Sequence, residues 1–204
     1  MLVHVVDDNA SVRRALKRLL GSVGIESETY ASARQFLEAH IANVPSCLVL
    51  DVRMPRLSGL ELQDRLNAAG RRIPIVFITG HGDIAMAVEA MKKGAVDFLP
   101  KPFNDQELID AIHRALAQHE RLRTERAEQD EIFARLERLT PREREVMELV
   151  ITGLLNKQVA GELGTSEKTI KVHRARVMDK MEAESLAELV RLAARVDIHG
   201  PAAS

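Results

Sequence analysis

Five short strand-like runs, all but the second largely apolar and each followed by a helical stretch, occupy the first 120 residues, and this alternation is the strongest constraint on the fold. Leu2–Val6 is β-rich and precedes a segment with Val12, Leu16, Leu19 and Val23 on one helical face. Glu26–Tyr30 reads as a second, more exposed strand, after which Ser32 is placed to cap a helix reaching about His40. Cys47–Leu50 and Ile73–Ile78 ("IPIVFI") read as the third and fourth strands, with helices over Gly59–Ala69 and Asp83–Lys93. Val96–Leu99 is the fifth strand and Asp105–Gln118 the fifth helix. Parallel strands need helical crossovers, so these units predict a doubly wound parallel sheet with helices on both faces.

Between Phe103 and Pro141 there is no Gly or Pro, and "QHERLRTERAEQDEIFARLERL" is dense in mixed charge. Such a run predicts a helix continuing out of a first domain (1–119) as a helical linker over 120–138. From Leu139 the periodicity is helical, broken at Gly153, Gly164 and around Ala183, which predicts an all-α domain over 139–197 and a frayed tail over 198–204. Residues 1–120 carry 14 basic and 15 acidic side chains and residues 121–204 carry 15 and 15, so any basic footprint for nucleic acid must be local. The single cysteine, Cys47, excludes an intrachain disulfide and a cysteine-rich metal site, and its apolar run predicts a small buried hydrophobe. No uninterrupted apolar stretch approaches a membrane span, and "MLVHVVDDN" lacks a basic region ahead of an apolar one. The expectation is a soluble, cytoplasmic protein with no membrane partner.

In a doubly wound sheet, ligands bind outside the carboxyl ends of the strands. Here the first strand ends in Asp7 and Asp8, the third in Asp51 and the fourth in Thr79, and the fifth leads to Lys101. Three converging carboxylates repel one another unless a hard cation sits among them, and Mg²⁺ suits such an oxygen-rich set. A hydroxyl and an ammonium on neighbouring strand ends suit the remaining oxygens of a phosphoryl group, with Asp51 as the nucleophile. Each Asp can also be an ordinary strand-end or helix-cap residue, and for Asp7 or Asp8 taken alone that is the better reading. A nucleotide-binding domain is disfavoured, because no Gly-rich loop follows the first strand. The joint placement of these polar groups at one sheet edge carries the reading.

The motifs "VVDDN", "LVLDVRMPRLSG", "FITGHGD" and "DFLPKPF" occur in the order found in the receiver domain of two-component response regulators, and residues 2–118 resemble that family. The resemblance implies a flavodoxin-like α/β fold in which Asp51 accepts phosphate from a sensor histidine kinase. It implies Mg²⁺ held by Asp7, Asp8, Asp51 and the backbone carbonyl of Arg53, with Thr79 and Lys101 on the phosphoryl oxygens. A cis Lys101–Pro102 bond, aiming the ammonium inward, belongs to the same pattern. Phe98 matches the family's switch aromatic, while plain core packing explains it equally well from its sequence position. As a switch, Thr79 moves toward the phosphate, Phe98 fills the vacated space, and the face over 83–93 and 96–99 is reshaped. Arg53 and His81 stand at positions that tune acyl-phosphate lifetime in the family.

In the second half, "QVAGELGTSEKTI" has helix, Gly-containing turn and helix in the order of a helix-turn-helix. On a wheel from Ser166 to Met181, Ile170, Val177 and Met181 share an inward face. Lys168, Lys171, Val172, Ala175 and Asp179 lie opposite, flanked by Thr169, Arg176 and Lys180. The segment Thr165–Met181 carries five Lys/Arg and two acids. Solvated charge explains a basic face on its own. Val172 and Ala175 amid it suit thymine methyl groups in a major groove, and the second helix of the motif is where recognition helices belong. Lys171 suits a base edge or a phosphate, whereas Lys157, Thr169, His173, Arg174, Arg176 and Lys180 suit phosphates. Ser185 and Glu188 fit a capping box opening a helix with Leu186, Leu189, Val190 and Ala193 on one stripe.

"TIKVHRARVMDKM" resembles the LuxR/NarL-type DNA-binding domain, a four-helix module, and with the first half it places the chain near the FixJ subgroup of response regulators. Lys171 stands where such relatives often carry Glu, so no base preference is carried over. The resemblance implies a phosphorylation-dependent transcriptional regulator. Its partners are a histidine kinase, double-stranded DNA, a second copy of the chain when phosphorylated, and RNA polymerase as a candidate. It is not an enzyme apart from Mg²⁺-dependent phosphorylation and dephosphorylation at Asp51. Two other readings stand beside it: a constitutive DNA-binding protein whose first half is a dimerisation scaffold, and a metal-dependent phosphohydrolase. The clustered carboxylates argue against the scaffold, and the absence of a substrate-specificity insert argues against the hydrolase.

Overall fold

The structure, a computed structural model, describes residues 1–80 and 84–198. Two compact units divide the chain at Arg123 and Thr124. In the first, five strands form one sheet: β1 (Leu2–Val6), β2 (Glu26–Tyr30), β3 (Ser46–Asp51), β4 (Ile75–Thr79) and β5 (Asp97–Pro100). Their order is β2-β1-β3-β4-β5 and every pairing is parallel. Between them run α1 (Ala10–Ser22), α2 (Ala33–Glu38), α3 (Gly59–Ala68) and α4 (Ile84–Lys92). Strand β4 starts two residues later than its apolar run, because Pro74 has no N–H to give the ladder and contributes only its carbonyl, to Leu48 N–H. The expected start of a helix at Asp83, like His81, lies outside the described residues.

Side-chain alternation splits the strands between two cores. Val3, Val5, Cys47, Val49, Val76, Ile78 and Leu99 pack with Leu16 and Leu20 of α1 and with Leu108 and Ile112 on one face. Val6, Leu48, Leu50, Ile75 and Phe77 pack on the other with Phe36, Leu62, Leu66 and Ala90. Cys47 is buried, as expected, and burial pushes its thiol up to about 12, so it is a packing atom rather than a nucleophile.

Helix α5 (Asp105–Glu137) contributes its early turns to the first unit and its last turns to the second. The stretch expected as a plain helical linker is therefore partly core: Ile132 and Leu136, one turn apart amid the charge run, are buried with the second unit's apolar residues. That unit continues with α6 (Pro141–Val150), α7 (Asn156–Glu162), α8 (Glu167–Met181) and α9 (Leu186–Arg195). Thr140 and Glu143 form a capping box at α6, with Pro141 at the first helical position. Gly164, at φ +62°, makes the turn between α7 and α8, a backbone conformation that suits a residue without Cβ. Ile170, Val177 and Met181 of α8 are buried, as the wheel predicts. At α9 only half of the expected capping box forms. Ser185 Oγ accepts from Glu188 N–H, but the Glu188 carboxylate reaches past Ser185 to Glu184 N–H. Leu189 and Ala193 are buried in α9 while Val190 is exposed. No helix among the described residues is long and apolar enough to cross a membrane.

Candidate functional site

Asp51 is the last residue of β3, and two backbone devices turn the chain away from it. Ser58 and Glu61 form a capping box that starts α3, and Gly59 N–H donates to Val52 carbonyl at 2.9 Å. A Cβ on Gly59 would collide with the Asp51 backbone carbonyl and crowd Leu50 and Phe77 at 3.1 Å each. Gly59→Ala is therefore expected to cost about 2 kcal/mol, the range for overpacking a filled core, read as a lower urea midpoint.

The side chain of Asp51 is nearly buried, and both its oxygens are engaged. Oδ1 accepts from Lys101 Nζ at 2.9 Å and Oδ2 from Arg53 N–H at 3.0 Å. Asp7, 1% exposed, accepts from the same ammonium at 2.8 Å through Oδ2 and from Asn9 N–H at 2.8 Å through Oδ1. Lys101 thus bridges the two carboxylates at the point where the strand order reverses, between β1 and β3. Burial raises the Asp51 pKa, and the opposing hydrogen bond and charge of Lys101 do not fully cancel it. For Lys101 the balance tips the other way: burial lowers its pKa, but hydrogen bonds and charge from Asp7 and Asp51 outweigh that and hold the ammonium charged.

Thr79 is fully buried, and its carbonyl accepts from Lys101 N–H at 2.6 Å, so the hydroxyl and the ammonium project from adjoining backbone. The Lys101–Pro102 bond is cis. Phe98 is half-buried on β5, its ring 6.1 Å from Phe77 and tilted by 43°. Asp8 is exposed, as is Arg53. Among the described residues no three of His, Cys, Asp and Glu stand in a metal-holding arrangement. The donor set is oxygen throughout, which fits a hard cation, and two of its carboxylates already share a positive charge.

Sequence reasoning missed two residues of this loop. Asn9 caps α1 through its side chain, which accepts from Ser11 N–H, and its own N–H holds Asp7. Arg13 of α1 donates from Nη1 to the carbonyls of Asp7 and Asp8 at 2.6 and 3.0 Å. "DDNAS" carries the cap signal for Asn9, but nothing in the pattern marks Arg13.

In the second unit, Lys157, Lys168, Lys171, Val172, Ala175 and Arg176 are exposed, Val172 by 45%. The other candidates are tied into the module. Thr169 packs its hydroxyl 2.8 Å from that of Ser166 at the α8 cap. Arg174 donates to Asn156 Oδ1 at 3.2 Å, joining α8 to α7. His173 buries Nδ1 with no partner among the described residues. Lys180 is committed at 2.6 Å to Glu143, so its ammonium ties α8 to the start of α6, a role the wheel did not suggest. Glu143 also accepts from Thr140 N–H at 2.9 Å, and its pKa is pushed down to about 2, first by the Lys180 hydrogen bond and then by that of Thr140.

Comparison with known proteins places these two units in sequence. Residues 3–113 match the response regulator receiver domain, and residues 137–193 match the bacterial regulatory proteins of the luxR family. Nodulation protein W of Bradyrhizobium diazoefficiens is 51% identical over 197 residues, which cover 97% of this chain and 87% of that protein. Transcriptional regulatory protein FixJ of the same organism is 49% identical over 193 residues, covering 95% and 94%. Among solved structures, response regulator StyR aligns with a TM-score of 0.84 at 52% identity, covering 95% of this chain and 98% of that one.

Proposed function

The chain belongs to the response regulators that join a receiver domain to a LuxR-type regulatory domain, a two-component transcriptional regulator, and from that membership we propose that Asp51 is its phosphoryl acceptor and DNA binding its output. One observation carries the reading: a nearly buried carboxylate at a strand end shares an ammonium with a second buried carboxylate. An Asp51 oxygen attacks the phosphorus of a phosphohistidine on a sensor kinase, an Asp–O–P bond forms, the P–N bond breaks, and the imidazole leaves. Asp7, Asp8, Asp51 and the Arg53 carbonyl would hold Mg²⁺, which would supply positive charge against the transferring phosphoryl oxygens. Lys101 has a second role once Asp51 carries the acyl phosphate, because its ammonium, still held by Asp7, can then donate to the new phosphoryl oxygens. Thr79 stands one backbone hydrogen bond from Lys101 and supplies the hydroxyl for the same group.

The signal leaves through the face beside Thr79. Phe98 is half-buried beside Phe77, and α4 presents Ile84, Val88 and Met91 to solvent at 82, 46 and 45%. An apolar stripe at that spacing suits pairing with a second receiver. Two linked DNA-binding units then gain affinity through effective concentration rather than through new contacts. Light scattering of the full chain with Mg²⁺, with and without acetyl phosphate, tests this directly. The expected result is a doubling of mass on phosphoryl donation; unchanged mass overturns receiver pairing as the route of the signal.

At the output, Lys171, Val172 and Ala175 face bases while Lys157, Lys168 and Arg176 neutralise phosphates, with Thr169, His173 and Arg174 positioned by the module behind them. Lys168→Ala and Arg176→Ala are each expected to weaken binding similarly across duplexes of different sequence. Each should flatten the slope of log affinity against log salt by about 1. Fluorescence anisotropy of labelled duplexes across a salt series measures both effects.

A further inference from the structure

The two acidic residues after β1 are fixed in different ways. The Asp7 carboxylate is buried and held on both oxygens, by Lys101 and by Asn9 N–H. The Asp8 carboxylate is exposed and accepts no hydrogen bond among the described residues. What holds Asp8 is its main chain, through the Arg13 guanidinium. Nη1 of Arg13 donates to the carbonyls of both Asp7 and Asp8, at 2.6 and 3.0 Å, from a half-buried position in the first turns of α1. The same residue's N–H closes the helix onto Asn9 carbonyl at 3.1 Å, so backbone and side chain of Arg13 both anchor the loop.

From this geometry we infer that Arg13 is a positioning residue for the divalent cation: it acts through the backbone of Asp8, pre-orienting a carboxylate that no other described residue holds. The inference rests on the reading of Asp7, Asp8 and Asp51 as the cation's ligands. A ligand whose main chain wanders must be ordered when the ion binds, and that ordering free energy is subtracted from affinity. Outer-shell groups that orient ligands typically change metal affinity by about 10- to 100-fold when removed. Arg13 also brings a positive charge to the loop, which by Coulomb's law alone opposes a cation. The two effects have opposite signs on removal of the side chain, so the sign of the change in affinity shows which of them dominates.

The experiment is calorimetric titration of Mg²⁺ into the full chain, without phosphoryl donor, for wild type, Arg13→Ala, Asp8→Asn and the double variant. Melting curves recorded without metal check the fold. Wild type is expected to bind, Arg13→Ala to bind about tenfold more weakly, and the double variant to bind no more weakly than Asp8→Asn alone. That last equality identifies Asp8 as the group through which Arg13 acts, and a structural role confined to starting α1 does not produce it. Equal or tighter binding by Arg13→Ala overturns the positioning role, as does an Arg13→Ala loss that persists in full in the Asp8→Asn background. Absence of Mg²⁺ binding by wild type overturns the ligand reading beneath it instead. If Arg13→Ala melts below the titration temperature, Arg13→Met, which keeps an aliphatic stem of similar length but no donor, takes its place under the same criteria.

Discussion

Asp51→Asn is expected to give a folded chain that stays monomeric with acetyl phosphate and Mg²⁺ and whose DNA affinity no longer responds to the donor. Wild type, by contrast, should gain about 100-fold or more in affinity once two linked units can bind together. The contrast is large because the amide removes the one nucleophilic oxygen while changing little else. Asn keeps the shape, and its Oδ1 can still accept from Lys101 Nζ, which retains Asp7 as its charged partner, while its NH2 group gives up the bond from Arg53 N–H. Folding should not suffer. Burial, which raises the Asp51 pKa, makes the ionised carboxylate a cost to the native state at neutral pH, and the amide carries no such cost. The variant should therefore melt near the wild-type temperature, the lost Arg53 hydrogen bond offsetting the relieved cost. Three measurements check the set: mass by light scattering, duplex binding by anisotropy and a thermal scan. Asp51→Asn that dimerises with the donor moves the acceptor elsewhere. A variant that binds DNA as tightly as phosphorylated wild type revives the constitutive regulator with a receiver scaffold.

The alternation of strands and helices was legible because buried parallel strands are continuously apolar and their crossovers are amphipathic. Asp7, Asp51, Thr79 and Lys101 were legible for a related reason, as polar residues at the ends of such runs. What could not be read were contacts made by the main chain or between elements far apart in sequence. Arg13 holds two carbonyls, and a carbonyl has no letter of its own. His4 looks like one more strand residue, yet it is fully buried, with Nδ1 beside the Tyr30 hydroxyl and a pKa lowered chiefly by burial. The role of α5 was hidden by composition: Ile132 and Leu136 are two apolar letters in a charged run, and only packing tells a solvated helix from a core one. The partner of Lys180 was hidden from the wheel for the same reason. A wheel shows which way a side chain leaves its helix, not what waits there.

What waits for Lys180 is Glu143, and this pair supports the second large effect. Glu143 is 2% exposed and holds two donors, the Lys180 ammonium and Thr140 N–H, so one carboxylate both caps α6 and fastens the end of α8. Removing a buried partner strands the other charge, at about 3–5 kcal/mol where no water reaches it. Lys180 keeps 30% of its side chain exposed and can hydrate, which lowers that figure, while loss of the cap adds about 1 kcal/mol. Glu143→Ala is expected to destabilise the DNA-binding unit by about 3 kcal/mol. Glu143→Gln, whose amide oxygen can still cap Thr140, should cost about half as much. The pH dependence separates the charge from the cap. The Glu143 pKa falls from the ordinary 4.5 to about 2 on folding, so its contribution is fully present above about pH 5 and is lost as pH falls toward 2. The stability gap between wild type and Glu143→Gln should therefore hold steady in urea titrations above about pH 5 and narrow from there down toward about pH 2, the range over which the charge difference titrates away. A gap constant with pH would assign Glu143 to packing and capping alone. A narrowing gap makes the carboxylate an electrostatic latch between the start of α6 and the end of α8.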